Sequence, residues 1–346
     1  MQNIKGFILF FISVALTFCA AVSSFDLVMC VSAVRVQSNT QIQAPTGSEN
    51  NETAEVTSSD KQVTQNVSSK QSTSSQAVPT GTKSEALGKV LTKTLSFTSS
   101  LNYNGVHIRN LTDKELSIKK YITSKCGTTL SSNSAPQVLV YHTHATESYM
   151  TEERDYYTDL DQTRSTDNSK NMVAIGKVFC SVLEENGIKT IHITEHFDNP
   201  AYTGSYSRSA AAVKKYLKKY PSIKVAIDLH RDSVSEGDTR VRPVVEVDGQ
   251  SAAQVMLVMG SNTGNVKNYP DWEKNLSLAA KFQKKMADTH KGLARCMMVS
   301  SKLYNQNLSK GSMLIEIGTE ANTLSQAKYA ASLSAELLAK TLKELK

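Results

Sequence analysis

Three short segments carry residue types that hold and use a catalytic metal. They are HTHATE at residues 142–147, DLHRD at 228–232 and LIEIG at 314–318. A catalytic zinc takes three ligands from histidine and carboxylate side chains and keeps a fourth position open for water or substrate. His144 and Glu147 form a close H-x-x-E pair, His230 supplies a remote third donor, and His142 offers one more imidazole than three ligands need. Zn2+ is therefore the expected cofactor. It lowers the pKa of its water to about 7, so a hydroxide is available at neutral pH. A further carboxylate must then carry a proton from that water to a leaving amine. Glu316 suits the task, because an unpaired carboxylate inside an apolar strand is costly to keep. Arg231 is a candidate oxyanion donor, or a partner for Asp232.

Each residue also has a purely structural reading. His142 and His144 are ordinary strand-end residues on that view, Asp228 and His230 a buried hydrogen-bonded pair, and Glu316 half of a salt bridge. Which of His142 and His144 ligates is open. In a regular strand both would point the same way. His144 has the tight spacing to Glu147, and His142 lies nearer the strand end, so the other would orient a ligand or contact substrate. His107, His192, His196 and His290 lack this context, and His192 reads as a satisfied core residue within a strand.

The positioning elements follow from hydrophobic period and punctuation. Residues 137–141 are a short β-branched run after Pro136, typical of a buried parallel strand. The pattern predicts helices over 168–186, 205–220, 270–290 and 324–345, and strands over 188–194, 223–229, 255–259 and 312–317. This alternation implies an α/β fold with a mainly parallel sheet flanked by helices on both faces. Ligands in such sheets bind beyond the carboxyl ends of the strands, where all three polar segments fall.

Composition separates this domain from what precedes it. After Lys5, residues 6–25 form an uncharged apolar run of twenty, long enough to span a bilayer and longer than a usual signal-peptide core. The expectation is a transmembrane anchor over 1–35, with Lys5 inside and the rest extracytoplasmic. A flexible Ser/Thr/Gln-rich linker over 36–100 follows, too poor in apolar residues to fold, and the catalytic domain occupies 101–346. Residues 1–86 hold five Lys/Arg and six Asp/Glu, so the formal charge of +7 belongs to the C-terminal domain. Such a domain suits anionic polymers such as cell wall or acidic lipid; nucleic acid is not an expected partner. Cys126, Cys180 and Cys296 are odd in number and form no C-x-x-C pair, which argues against a disulfide framework or a cysteine zinc site.

The motifs VLVYHTHATESY (138–149), GSYSRS (204–209), IDLHRDS (227–233) and MLIEIGTEANT (313–323) resemble the stage II sporulation protein P family, from about Leu101 to the end. Their order is also similar to that of the zinc-dependent N-acetylmuramoyl-L-alanine amidases. The resemblance implies a zinc amidase-like fold, with His230 matching the second zinc histidine and Glu316 the catalytic base. It departs at the first cluster: the amidases take their glutamate from the start of the next helix, where this chain has Asp167 and Asn168, and Glu147 is offered instead. The resemblance further implies a membrane-anchored peptidoglycan hydrolase acting during spore engulfment. It would cleave the N-acetylmuramoyl-L-alanine amide, and cross-linked stem peptides as well. It would lie in the mother-cell membrane, facing the septal intermembrane space, in complex with sporulation proteins D and M. The competing expectation is a peptidoglycan-binding scaffold of the same complex without catalysis.

Overall fold

A computed structural model describes residues 85–96, 99–131 and 134–345. The expected membrane anchor and most of the expected linker lie outside the described residues. Among the described residues no helix is long and apolar enough to cross a membrane.

The chain runs β1 (Gly88–Lys93), β2 (Asn102–Tyr103), β3 (Val106–Asn110), α1 (Ile118–Thr123), β4 (Val138–Tyr141), β5 (Tyr156–Tyr157), α2 (Met172–Glu185), β6 (Thr190–His192), α3 (Ser205–Lys219), β7 (Val225–Asp232), β8 (Ser235–Glu236), β9 (Thr239–Val247), β10 (Gln250–Ala253), β11 (Val255–Gly260), α4 (Trp272–Thr289), β12 (Met297–Ser300), β13 (Ser312–Thr319) and α5 (Leu324–Lys343). The main sheet has the order β2-β3-β12-β11-β13-β7-β4-β6. Strands β6, β4, β7 and β13 are parallel, as the sequence pattern predicts. The sheet as a whole is nonetheless mixed, because β11 pairs antiparallel with β13 and carries β12 and β3 in its own direction. That is a correction to the mainly parallel expectation. Residues 255–259 have no helix between them and the preceding strands, so no right-handed crossover forces β11 parallel.

A second sheet, β10-β9-β1-β5 with β8 on β9, has no counterpart in the sequence reading. Its centre is a parallel pairing of β1 with β9, Lys89 opposite Thr239 through Lys93 opposite Pro243. Strand β1 thus lies within the segment read as linker.

Side-chain alternation divides the main sheet into two faces. Val138, Val140, Val225, Ile227, Leu229, Met313, Ile315 and Ile317 pack on one face against α2, α4 and α5 in the large core. Leu139, Tyr141 and Ala226 pack on the other, against Val213 of α3 and the partly buried Tyr216 and Leu217. The second face is the smaller, and toward the carboxyl ends of β7 and β13 it turns polar: Asp228, His230 and Glu316 occupy the alternate positions there. Helix α2 is capped by the Asn171 side chain, which accepts from Val173 N, and α5 by a Thr323–Gln326 capping box. Both caps stand at the sheet's carboxyl edge and fix the helices that back the site.

Candidate functional site

Strand β4 ends at Tyr141, and the next residues separate the two histidines. His142 continues the alternation of Val138 and Val140 and points toward α2. Its Nδ1 lies 3.0 Å from the Leu229 carbonyl oxygen, and its Nε2 lies 2.8 Å from His192 Nε2. The carbonyl can only accept, so Nδ1 carries the proton and Nε2 accepts from His192. Both nitrogens are thereby occupied, and burial, with the nearby His192, holds the pKa of His142 well below its ordinary value. His144 follows a turn and emerges on the opposite face, with its ring centroid 5.2 Å from that of His230. Neither of its ring nitrogens has a hydrogen-bond partner, although the residue is 4% exposed. Burial, reinforced by His230, lowers its pKa to about 4.

Glu147 stands beside His230, with Oε2 3.6 Å from Nδ1, and accepts from Arg231 N at 3.4 Å. Burial opposes its charge, but the His230 contact and the Arg231 charge prevail and hold its pKa at about 2. Asp228 lies on the other side of His230, with Oδ1 2.9 Å from Nε2. Burial disfavours the imidazolium, yet Asp228 and Glu147 together raise the His230 pKa well above its ordinary value. Asp228 is itself fixed by Thr143, whose backbone N donates at 2.8 Å and whose hydroxyl donates at 2.6 Å, with Ser209 Oγ 2.9 Å behind that hydroxyl. A carboxylate held this firmly sets the ring plane and basicity of the histidine it touches.

Glu316 is the register partner of His230 on β13. The residue keeps some exposure, but its Oε2 is shut off from solvent without a partner. Burial raises its pKa to about 8, with His230 opposing and Asp232 reinforcing. Arg231 points elsewhere. Its guanidinium donates to the carbonyls of Ser148 (2.8 Å), Thr163 (2.8 Å) and Asp232 (3.1 Å) and lies 3.5 Å from Glu320. It ties the loop after Glu147 to β7, while Asp232 pairs with Arg295 at 2.8 Å.

The structure therefore brings His144, Glu147, His230 and Glu316 together, sets His142 behind the strand, and directs Arg231 away from the cluster. It adds three aromatic or basic side chains that received no role from the sequence. Tyr202 stacks on His144 at 4.4 Å, and Tyr206 meets the same ring edge-on at 5.6 Å. Arg164 covers the Tyr202 ring at 4.9 Å, pairs with Asp198 at 2.6 Å and lies 3.7 Å from Glu147. A cleft of about 550 Å³ opens beside Arg164, Thr146 and Asp198. Only Tyr206 had a signal in the sequence, the GSYSRS motif at the start of α3; Tyr202 and Arg164 lie in loops without periodicity.

The donor types fit zinc: two imidazoles, a carboxylate and a nearby second carboxylate. Orphaned nitrogens on His144 and an orphaned oxygen on Glu316 are polar atoms that burial penalises unless something binds them. Among the described residues no three His, Cys, Asp or Glu side chains already converge on one point.

A family model described as stage II sporulation protein P matches residues 16–339. A curated relative, stage II sporulation protein P of Bacillus subtilis (strain 168), is 30% identical over 211 residues, 58% of this chain and 49% of that protein. The chain spans about half the length of that relative. Among solved structures, N-acetylmuramoyl-L-alanine amidase AmiC2 of Nostoc punctiforme is 13% identical, covering 61% of this chain and 97% of that one at a TM-score of 0.34. An N-acetylmuramoyl-L-alanine amidase from Clostridium difficile 630 is 15% identical, with 61% and 95% covered at a TM-score of 0.35.

Proposed function

The chain belongs to the stage II sporulation protein P family, and from that premise we propose that it is a zinc-dependent peptidoglycan hydrolase that cleaves the N-acetylmuramoyl-L-alanine amide. The observation that carries the reading is the pair of buried, unpartnered side chains His144 and Glu316 beside His230 and a deprotonated Glu147. Buried polar atoms without partners are destabilising, so a fold that gathers them keeps them for a ligand.

His144, Glu147 and His230 would hold the metal. When bound, zinc lowers the pKa of water to about 7 and so supplies a nucleophile at neutral pH. Asp228 fixes the orientation of His230, and Thr143 and Ser209 fix Asp228. Glu316 accepts the proton of the attacking water at its carboxylate and passes it to the departing amide nitrogen, the work of a general base that becomes a general acid.

The same reading places the enzyme in the mother-cell membrane through the apolar residues 6–25. Its catalytic part would face the septal wall during engulfment, with sporulation proteins D and M as partners and stem-peptide cross-links as a second substrate. Its test is digestion of purified peptidoglycan with and without a chelator, followed by chromatography of the released peptides. Chelator-sensitive release of stem peptides with free L-alanine amino termini is the expected result. Equal release with and without chelator would remove the metal from the mechanism, and specific binding without any release would leave a scaffold.

A further inference from the structure

The proposed reaction needs a donor for the negative charge that grows on the scissile carbonyl oxygen, and Arg231 is engaged with three backbone carbonyls and Glu320. Another residue lies in place. In GSYSRS, Gly204, Arg208 and Ser209 each have a structural part. Gly204 takes the left-handed conformation that starts α3 (φ 83°). Arg208 donates to the Phe197 carbonyl at 2.7 Å, to Thr203 at 3.1 Å and to Ala201, and so fastens the loop before the helix. Ser209 contacts the Thr143 hydroxyl at 2.9 Å and donates to the Tyr206 carbonyl at 3.2 Å. Asn305 Nδ2 donates to that same carbonyl at 2.9 Å, so the backbone of Tyr206 is held from two sides.

The Tyr206 side chain faces the site. Its ring meets His144 edge-on at 5.6 Å and lies 6.3 Å from Tyr304, and Asp228 and Glu316 are near enough to act electrostatically on its hydroxyl. Among the described residues that hydroxyl has no hydrogen-bond partner, whereas the neighbouring Tyr304 hydroxyl is paired with Ser300 Oγ at 3.1 Å. A phenol with an ordinary pKa near 10 is a protonated donor at neutral pH. Resting on the amidase reading above, we infer that Tyr206 is a catalytic residue, donating its O–H to the carbonyl oxygen of the scissile amide as that oxygen becomes negative.

The step balances without any further reactant. The water oxygen bonds to the carbonyl carbon as Glu316 takes one water proton, and the C=O π pair moves onto the oxygen facing Tyr206. The C–N bond then breaks as the pair returns, and Glu316 delivers its proton to nitrogen. One water and one amide give one carboxylic acid and one amine, with Tyr206 unchanged. A preplaced donor of this kind contributes about 10²–10³ in turnover.

The test is Tyr206→Phe in the full chain, with Tyr304→Phe beside it. The Tyr206 hydroxyl has no partner among the described residues, so the phenylalanine variant is expected to melt like the native chain and keep its zinc content. Its kcat on peptidoglycan should fall about 100-fold or more while KM changes less than about threefold. Its affinity for a phosphinate isostere of the muramoyl-alanine amide, a tetrahedral mimic, should fall by the same factor, and this binding readout decides the matter even for a chain that is silent on peptidoglycan. Tyr304→Phe should retain most of its activity. A Tyr206→Phe chain with native turnover and native isostere affinity overturns the inference and leaves the amidase reading standing. Chelator-insensitive activity of the native chain is a failure of that reading instead.

Discussion

Glu316 and His230 sit directly opposite one another on adjacent parallel strands, β13 and β7, with both side chains on the same face of the sheet. Their separation is thus set by the hydrogen-bond register of the core and not by a loop. A strand-borne pair of this kind is held by every apolar residue between them and the opposite face, which is why Ile315, Ile317 and Leu229 alternate with them in the core.

Glu316→Gln separates chemistry from stability. The amide keeps the shape of the side chain but cannot take the water's proton, so turnover should fall by about 10²–10⁴. The native carboxyl has an unpartnered buried oxygen, so its loss removes a destabilising group. A melting temperature equal to or above the native value, together with the loss of activity, is the expected pair of results. A variant that unfolds would recast Glu316 as structural.

The four candidate ligand positions should divide in two. His144→Ala, Glu147→Gln and His230→Ala should each weaken zinc binding by more than about 100-fold. His142→Ala should keep the metal and lose about 2–4 kcal/mol of stability, because it empties a fully buried site and strands the Leu229 carbonyl and His192. Elemental analysis and urea unfolding of the same four preparations check both halves. Loss of zinc from the His142 variant with native stability would reverse the assignment.

Asp228→Asn probes the layer behind the metal. The asparagine can still meet Thr143, but it presents no charge to His230. Zinc affinity should fall by about 10–100-fold with little change in fold. Competition against a chromophoric chelator measures it, and an unchanged affinity would confine Asp228 to packing.

Much of the site was legible because strand ends, polar clusters and apolar alternation are local signals. β4, β7 and β13 stand as neighbours, and each brings its polar motif to one edge. What was not legible depends on contacts distant in sequence. β1 pairs with β9 across about 150 residues, and nothing within residues 88–93 announces that partner. The direction of β11 is set by its pairing with β13 and not by its own residues. His142 and His144 are two apart, and regular strand geometry puts them on one side; the turn right after Tyr141 sends them to opposite faces. Arg231 looked available because its four contacts come from residues 148, 163, 232 and 320, three of them outside its own segment.

His192 gives the fold a predictable weakness in acid. Burial holds its pKa at about 4, below its ordinary 6.5. Between those values the unfolded chain binds a proton that the folded chain does not. The stabilisation is complete above about pH 6.5, is lost as pH falls toward about 4, and changes no further below that. A glutamine at position 192 can still donate to His142 Nε2 but does not titrate. Between pH 7 and pH 5, His192→Gln should lose about 1–2 kcal/mol less stability than the native chain, read from urea midpoints at the two values. Parallel losses in both proteins would mean that His192 is not the titrating group.

Gly176, in the middle of α2, tests the packing of the same imidazole pair from the other side. Alanine is the better helix former by about 1 kcal/mol, so propensity alone predicts a stabilised Gly176→Ala chain. The added Cβ would lie 2.4 Å from His192 Nε2 and 2.5 Å from His142 Nε2. Neither atom can simply swing aside, because the two rings are bonded to each other and His142 is also bonded to the Leu229 carbonyl. Overpacking of this kind costs about 1–3 kcal/mol or more, which outweighs the gain in propensity. Gly176→Ala should therefore lower the urea midpoint, and adding His192→Ala should recover part of the loss by clearing one of the two clashes. A Gly176→Ala chain more stable than the native one would show that the pair does not pack against α2, and would reopen His142 as a ligand.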